Sequence, residues 1–540
     1  MKKNIYFRCH SRNALIAFGA LILTLLVSCT KNFDKINTNP AQVTDDMLKA
    51  DNLYIGTFIV QMEKNVFPIA NPGSGANNFG DEVYQIVQNL AGDVFSGQQG
   101  ASNNWFGGSN NTTYNLIPSW YGAGFDRAYS GVLAGYLQIR TKVKGNAPDV
   151  YAVAQIIKVA SFQRTTDMYG PLPYTRAGGS GLSTDYDSQQ TIYQTFFKEL
   201  DSARTVLKDY IVKNPSGKPL VNFDAVYAGD YTKWIKFANS LRLRMAMRVV
   251  YADPALAQRN AEDAVNDSYG VFTSNSDNAS LGVFNGYNFH NPLEIITDNF
   301  NDIRMGATME CYLNGYNDPR MPVLFKQSDF GGYHGIRTGI NVNDRTAYGK
   351  CSKLNVTPTT PVPWMSAPEI FFLRAEGALR GWNMGGTAAT LYNQGVSTSF
   401  TQTGAGDASG YLNNSTNVPA SYTDPVNSSN SFNGSPSTVT VKWNDGDSFE
   451  RKLERIITQK WIAVYPDGQE AWSEFKRTGY PKILPVLVNN SGGTISTDIQ
   501  VRRLPFPTAQ YNTNAAGVKT GVALLGGPDN GGTKLWWDKK

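Results

Sequence analysis

The segment Tyr231–Tyr251 constrains the fold of this chain more than any other. Trp234, Phe237, Leu241, Met245 and Val249 recur at helical spacing and fall on one face. Leu243, Met247 and Val250 fall on a neighbouring face. A helix apolar on two sides must be sandwiched between other helices, because one contact cannot cover both faces. Asp253-Pro254 ends it, and Pro254–Asn266, carrying Ala257, Ala261, Ala264 and Val265, reads as the next helix. Proline cannot continue the first helix but suits the opening of the second. The two form an αα-hairpin.

The pattern recurs. Pro368–Leu379 is apolar and alanine-rich, Gly381, Gly385 and Gly386 break it, and Thr387–Phe400 follows. Asp149–Thr166, Thr191–Val212 and Phe449–Tyr465 read as further helices. Small residues at helix contacts, with a pair length of roughly thirty residues, fit the tetratricopeptide type of repeat loosely. Between the helices run stretches rich in Gly, Asn and Ser: Asn71–Asn115, Gly404–Ser437 and Asn489–Thr497. Loops that long are either functional or disordered. The expectation is a mainly α fold, a helical scaffold with few short strands, whose loops form a ligand surface.

The N-terminus sets the compartment. Lys2, Lys3, Arg8 and Arg12 precede an uncharged apolar run from Ala14 to Val27, which ends in Leu26-Val27-Ser28-Cys29. That order describes a secretory signal. The run falls short of the ~20 apolar residues that span a bilayer. Its ending resembles the lipobox of bacterial lipoproteins. The resemblance implies that residues 1–28 are a signal peptide and that Cys29 becomes the lipidated first residue of the mature protein. Several acyl chains together anchor a protein stably, where one does not. Residues 29–45 read as the tether and the start of the fold, and 46–540 as a single domain. Asp34 is the one acidic residue between Cys29 and Asp45, a thin form of the acidic export signal that often follows such cysteines.

Charge and missing motifs exclude several classes. Four of the 49 basic residues and none of the 44 acidic ones precede Cys29, so the remainder carries 45 cations against 44 anions. Nucleic acid as a partner needs a clustered basic surface, which this balance argues against. Of the 3 histidines, His10 lies in the signal, and His290 and His334 stand singly in sequence. No nucleophile motif, His-Glu-x-x-His or EF-hand loop occurs. The expectation is therefore no catalytic residue, no metal site, no cofactor and no enzymatic activity. A structural calcium at Asn444-Asp445-Gly446-Asp447 stays open, with a solvated turn as the plainer reading. Asp467, Glu470 and Glu474 lie close together and read as structural or surface charges. Cys311 and Cys351 could pair as a disulfide in an exported protein or stay as buried thiols.

Several segments in order resemble the SusD/RagB family of nutrient-binding outer-membrane lipoproteins of Bacteroidetes. They are Phe33-Asp34-Lys35-Ile36-Asn37-Thr38-Asn39-Pro40, Gln88-Asn89-Leu90-Ala91-Gly92-Asp93 and Thr166-Asp167-Met168-Tyr169-Gly170-Pro171-Leu172-Pro173-Tyr174. The helix Trp234–Arg248 and Ala375-Glu376-Gly377-Ala378-Leu379-Arg380-Gly381-Trp382 have the same look. Gln459-Lys460-Trp461 through Pro466-Asp467-Gly468-Gln469-Glu470-Ala471-Trp472 is the strongest, and Arg502-Arg503-Leu504-Pro505-Phe506-Pro507 and Leu535-Trp536-Trp537-Asp538 close the chain. The resemblance implies four tetratricopeptide-like helix pairs packed beside an irregular, loop-rich region. It also implies a lipoprotein on the outer leaflet that captures an oligosaccharide or peptide and delivers it to a SusC-like TonB-dependent barrel transporter. A surface scaffold or adhesin, or a surface hydrolase, are the other readings.

A site of this kind needs aromatic faces and a few placed polar groups. The loops hold both. Trp105 and Tyr287 are the expected platforms, and Gln98 and Asn291 the expected polar partners. Trp461, Tyr465, Trp472 and Trp536 read instead as core.

Overall fold

The computed structural model describes residues 53–69, 79–143, 145–179, 181, 183–284 and 289–540. The signal segment, Cys29 and Tyr287 lie outside the described residues. Contacts divide the chain into two units, Met1–Tyr54 and Ile55–Lys540, and the paired helices, the strands and the groove all belong to the second.

Helices dominate, and they begin where the sequence supplies caps. Helix α1 (Pro148–Tyr169) opens on proline, whose missing N–H would have had no helical partner anyway. At α2 (Gln189–Lys213) the Ser188 side chain accepts from the Thr191 amide. At α3 (Tyr231–Arg248) Asp230 accepts from the amides of Thr232 and Lys233, and at α4 (Pro254–Asn266) Asp253 accepts from that of Leu256. Helix α5 (Ala367–Leu379) opens on Ala367-Pro368. Helices α6 (Ala388–Thr403), α7 (Phe449–Ala463) and α8 (Gly468–Thr478) are capped by Thr387, Ser448 and Asp467. Each such cap satisfies a backbone donor that the helix leaves orphaned.

Consecutive helices pack as four pairs, α1–α2, α3–α4, α5–α6 and α7–α8. Helix α3 also packs on α2 and α5, and α5 on α7. Stacked pairs of this kind bury a continuous core that no single pair could close. Trp234, Leu243, Met245 and Val249 are all 0% exposed, so both apolar faces of α3 are covered. The helix ends at Arg248, short of Tyr251, because the backbone turns there and Asp253 N donates to Val249 O.

The stretch Asn71–Asn115 is not one continuous loop. Phe79–Tyr84 is helical and runs into a π-helical segment, Gln85–Asp93, and Gln99–Ala101 forms strand β1. Its polar residues suggest a solvated loop, but Gln85, Gln88, Asn89 and Asp93 are buried. The remaining strands are β2 (Ala279–Leu281), β3 (Ile303–Met305) and β4 (Val362–Met365). β1 pairs antiparallel with β3, Gly100 opposite Arg304, and β2 with β4. Gly404–Ser437 carries two single helical turns, Ser409–Leu412 and Ser428–Asn430, and an antiparallel bridge between Tyr422 and Phe432, whereas Asn489–Thr497 carries only turns. Among the described residues no helix is long and apolar enough to cross a membrane.

A web of buried charge fastens the pairs together. Arg248 of α3 is 0% exposed and contacts Asp167 of α1 at 3.1 Å, and Glu470 and Glu474 of α8 both at 2.5 Å. Arg477 holds Glu376 and Glu474, Lys460 holds Glu470 at 2.8 Å, and Arg244 holds Glu369 at 2.6 Å. Asp467 pairs with Arg164 at 2.8 Å. Asp467, Glu470 and Glu474 are thus structural and lie in the interior, not at the surface. Burial by itself would raise the Glu470 carboxyl, but Arg248, Lys460 and Arg244 outweigh it and hold the group down at about 2. The Lys476 ammonium is pushed well below its ordinary range by burial. It lies 3.6 Å from the centre of the Trp472 ring and donates to Asp167 O.

Cys311 and Cys351 are free, buried thiols in separate apolar clusters. Burial pushes both up to about 12, which leaves them inert as nucleophiles. In the Asn444–Asp447 turn, Asp447 pairs with Arg455 at 2.7 Å and Asp445 accepts from Trp443 Nε1. Among the described residues no group of three or more His, Cys, Asp or Glu is arranged to hold a metal.

Candidate functional site

The scaffold holds its loops through the segments that most stand out in the sequence. The π-helical segment packs on α8 so closely that a Cβ on Gly92 would meet Gln469 Cα at 2.4 Å, and one on Gly468 would meet Asp93 Cα at 2.3 Å. Only glycine fits at both positions, and the approach lets Gly468 N donate to Asp93 Oδ1 at 3.0 Å. Just beyond, Gln98 Nε2 donates to Trp461 O at 2.7 Å, and Trp461 Nε1 returns a bond to Ser96 O. Burial pushes the Asp93 carboxyl up to about 7, against the pull of its Asn89 and Gly468 donors.

From this base the chain enters β1 and then the segment 103–121. Its Asn and Thr residues make it rigid. Asn110 Nδ2 donates to Trp105 O, and Asn110 Oδ1 accepts from Thr112 N. Asn111 bonds Leu90 O and Ile117 N, and Thr113 Oγ1 donates to Gly108 O. The tip is strained. Phe106 adopts φ 56° and ψ 35° with its side chain 63% exposed. A bulky residue in that left-handed region, held open to solvent, is a mark of a functional site.

The tip overhangs a groove of about 710 Å³. Its apolar walls are Trp105, Phe106, Trp120, Phe300, Ile86 and Leu90. Trp105 and Trp120 meet edge to face, centroids 5.7 Å apart and planes at 87°, and Phe106 lies 5.6 Å from Trp120. The polar wall is Glu82, Gln85, Asn299, Asp302 and Arg345, with Ser119. Asp302 organises it. Its carboxylate accepts from Gln85 Nε2 at 3.1 Å, Asn103 Nδ2 at 2.9 Å and Arg345 Nη2 at 3.0 Å. The β1–β3 ladder brings these segments together, since Ser102 N also donates to Asp302 O. Arg345 donates further to Phe300 O, while half of its side chain stays exposed. Buried Arg304 ties β3 to the carbonyls of Thr297 and Gly349, which fixes the Arg345 turn against the groove.

Of the sequence-predicted residues, Trp105 lines the groove. Gln98 is wholly buried beneath the loop, and its amide serves Trp461. Asn291 is 2% exposed, caps the turn Pro292–Glu294 through Leu293 N and donates to Thr360 O. Both amides build the fold and point no polar atom at the groove. Beside Asn291, His290 Nε2 pairs with Glu294 Oε2 at 2.8 Å. Burial lifts the nearby Asp81 carboxyl to about 6, a shift that the His290 charge reduces and that of Glu294 increases. Trp461, Tyr465 and Trp472 are core, as expected, and Trp536 is partly buried against it. Phe106, Phe300, Asp302 and Arg345 escape a reading of sequence. An aromatic pair followed by Gly107-Gly108 could have flagged Phe106, but nothing local marks Asp302 or Arg345.

Comparison with known proteins agrees with this architecture. The profile of the family described as "SusD-like: Susd and RagB outer membrane lipoprotein" matches residues 35–538. A chitin-binding SusD homologue from Flavobacterium johnsoniae has 40% identity and a TM-score of 0.85, over 90% of this chain and 99% of that one. A SusD homologue from Bacteroides vulgatus has 34% identity and a TM-score of 0.84, over 91% and 99%. One from Bacteroides uniformis has 38% identity and a TM-score of 0.83, over 90% and 99%. A search of curated proteins returns no match. A family profile that spans nearly the whole chain, joined to the stacked helix pairs and the loop-built groove, identifies the chain as a member of the SusD-like family of outer-membrane lipoproteins.

Proposed function

We propose that this protein binds saccharide chains at the cell surface and passes them to a SusC-like TonB-dependent barrel, without cleaving them. The groove around Trp105 and Trp120 carries the reading. A pyranose ring offers a face of C–H groups that packs on an aromatic ring, and hydroxyls that need fixed donors and acceptors. Trp105, Phe106 and Trp120 supply the faces, and the Asp302–Arg345 wall supplies the polar groups. The similarity to a chitin-binding relative favours a glycan over a peptide. Holding without cleavage fits the polar wall, where three donors already occupy the Asp302 carboxylate. A lipid on Cys29 would tether the molecule to the outer leaflet, on the cell exterior.

A glycan array followed by calorimetry on the retained glycan tests the binding role. Trp105→Ala is expected to weaken that binding by about 1–3 kcal/mol, the loss of one aromatic platform. An array that retains no glycan, or an unchanged affinity in the variant, would sink the reading. The delivery role predicts that a large barrel protein copurifies with the intact lipoprotein from outer membranes.

A further inference from the structure

A second cavity, of about 590 Å³, is lined by Phe125, Asp126, Tyr129, Pro173 and Gln510. It shares no lining residue with the groove. Its floor is an aromatic pair. Phe125 and Tyr129 stack with centroids 4.5 Å apart and planes at 23°, and Tyr129 meets Phe162 edge to face at 5.1 Å. The Tyr129 hydroxyl donates to Pro173 O at 2.7 Å. The Tyr129 ring is thus clamped on a face, an edge and its hydroxyl, yet remains partly exposed to the cavity. A rigid platform of this kind costs no ordering when a ligand arrives.

Two polar groups at the open rim of the same cavity keep hydrogen-bonding capacity that the protein does not use. Among the described residues nothing donates to the Asp126 carboxylate. Partial desolvation at the rim raises that carboxyl above its ordinary range, with the neighbouring Arg127 pulling it back. The Gln510 amide oxygen accepts from Tyr186, and among the described residues its nitrogen donates to nothing. Asn514, beside them, is by contrast fully engaged with Ser183 and Thr184. An acceptor and a donor open beside a fixed aromatic face, in a volume within the usual range for small-ligand sites, match what a sugar ring requires.

We propose that the Asp126–Tyr129–Gln510 cavity is a second saccharide site, which seats a neutral sugar ring on Tyr129 with its hydroxyls shared between the Asp126 carboxylate and the Gln510 amide. It is independent of the groove, and two sites on one molecule would let the protein hold a polymer at two points and raise its retention through effective concentration.

The test is calorimetry on the detergent-solubilised full chain with neutral hexasaccharides of glucose, xylose, mannose and N-acetylglucosamine as probes. The variants are a groove-blanked pair, Trp105→Ala with Trp120→Ala, and two changes in the second cavity, Asp126→Asn and Tyr129→Ala. The groove-blanked protein should still bind one of the probes at one site per molecule. Adding Asp126→Asn should weaken that residual binding about tenfold, the effect of losing a charge-assisted hydrogen bond. Tyr129→Ala should abolish it, but it also removes packing on Phe162; Asp126 is exposed, so Asp126→Asn reports on the site without that cost. If the intact chain binds a probe and the groove-blanked chain binds none, the second site is overturned and the groove stands. If the cavity variants alone abolish binding, the second site stands and the groove reading falls. If the intact chain binds no probe, both fall.

Discussion

The web around Arg248 and the groove around Trp105 use the same kinds of side chain to opposite ends. In the web, charged groups are buried, and each is met by an opposite charge from another helix: Asp167, Arg248, Glu376, Lys460, Glu470 and Arg477 come from five helices. In the groove, aromatic rings are left exposed, and the one anchoring carboxylate, Asp302, is supplied with donors from distant loops. A buried charge is costly unless paired, and an exposed aromatic cluster is the usual mark of a binding surface. The difference separates scaffold from site: stability should respond to changes in the web, and affinity to changes in the groove.

The largest expected effect is on stability. Arg248→Ala leaves Asp167, Glu470 and Glu474 without their shared partner, and should cost about 3–5 kcal/mol, read from the shift in denaturant midpoint. A loss below about 1 kcal/mol would mean that the web relaxes around the gap and would erase the contrast. Next comes Asp302→Ala, which frees Gln85, Asn103 and Arg345. Glycan affinity should fall by about 1.5–3 kcal/mol, with a smaller change in melting temperature. The reverse ordering would move Asp302 from the site to the scaffold.

Stability against pH sharpens the comparison further. Glu470 is held down at about 2, below its unfolded value of about 4.3. Its contribution is present above the unfolded value and is lost as the pH falls through about 2. Asp93, under the groove-bearing loop, is lifted to about 7, above its unfolded value of about 3.9. Its contribution is full below the unfolded value and is lost as the pH rises through about 7. Melting temperature should therefore fall at both ends. Asp93→Asn should flatten the arm between pH 4 and 7 and leave the acid arm alone, whereas loss of both arms together would show that the two regions titrate as one. The smallest effect belongs to Phe106→Gly. Relief of the left-handed backbone should raise stability by about 0.5 kcal/mol net of glycine's own entropy cost, while glycan affinity drops. A fall in stability would show that Phe106 is packing and not display.

What can be read in the chain depends on how local each feature is. The helix pairs are legible because caps such as Asp230, Asp253 and Thr387, and the two apolar faces of α3, are short-range signals. Trp105 is legible as an aromatic in a polar stretch. Gln98 and Asn291 show the limit. A loop amide suits a ligand hydroxyl and a backbone carbonyl equally well, and only burial tells which one it serves. The segment Gln85–Asp93 hides for a related reason, since its polar residues find their partners inside the fold, Asn89 on Asp93, Gln85 on Asp302 and Gln88 on Arg164. Asp302 and Arg345 cannot be found at all from sequence, because they meet Gln85 and Asn103 only through the β1–β3 pairing and the turn behind it.

A crystal structure of the protein soaked with its best-retained oligosaccharide tests the division between scaffold and site most directly. The account predicts a sugar ring packed on Trp105 and Trp120, with Arg345 donating to one of its oxygens and the Arg248 web unmoved. A saccharide seated elsewhere, with the Trp105 groove empty, would contradict it.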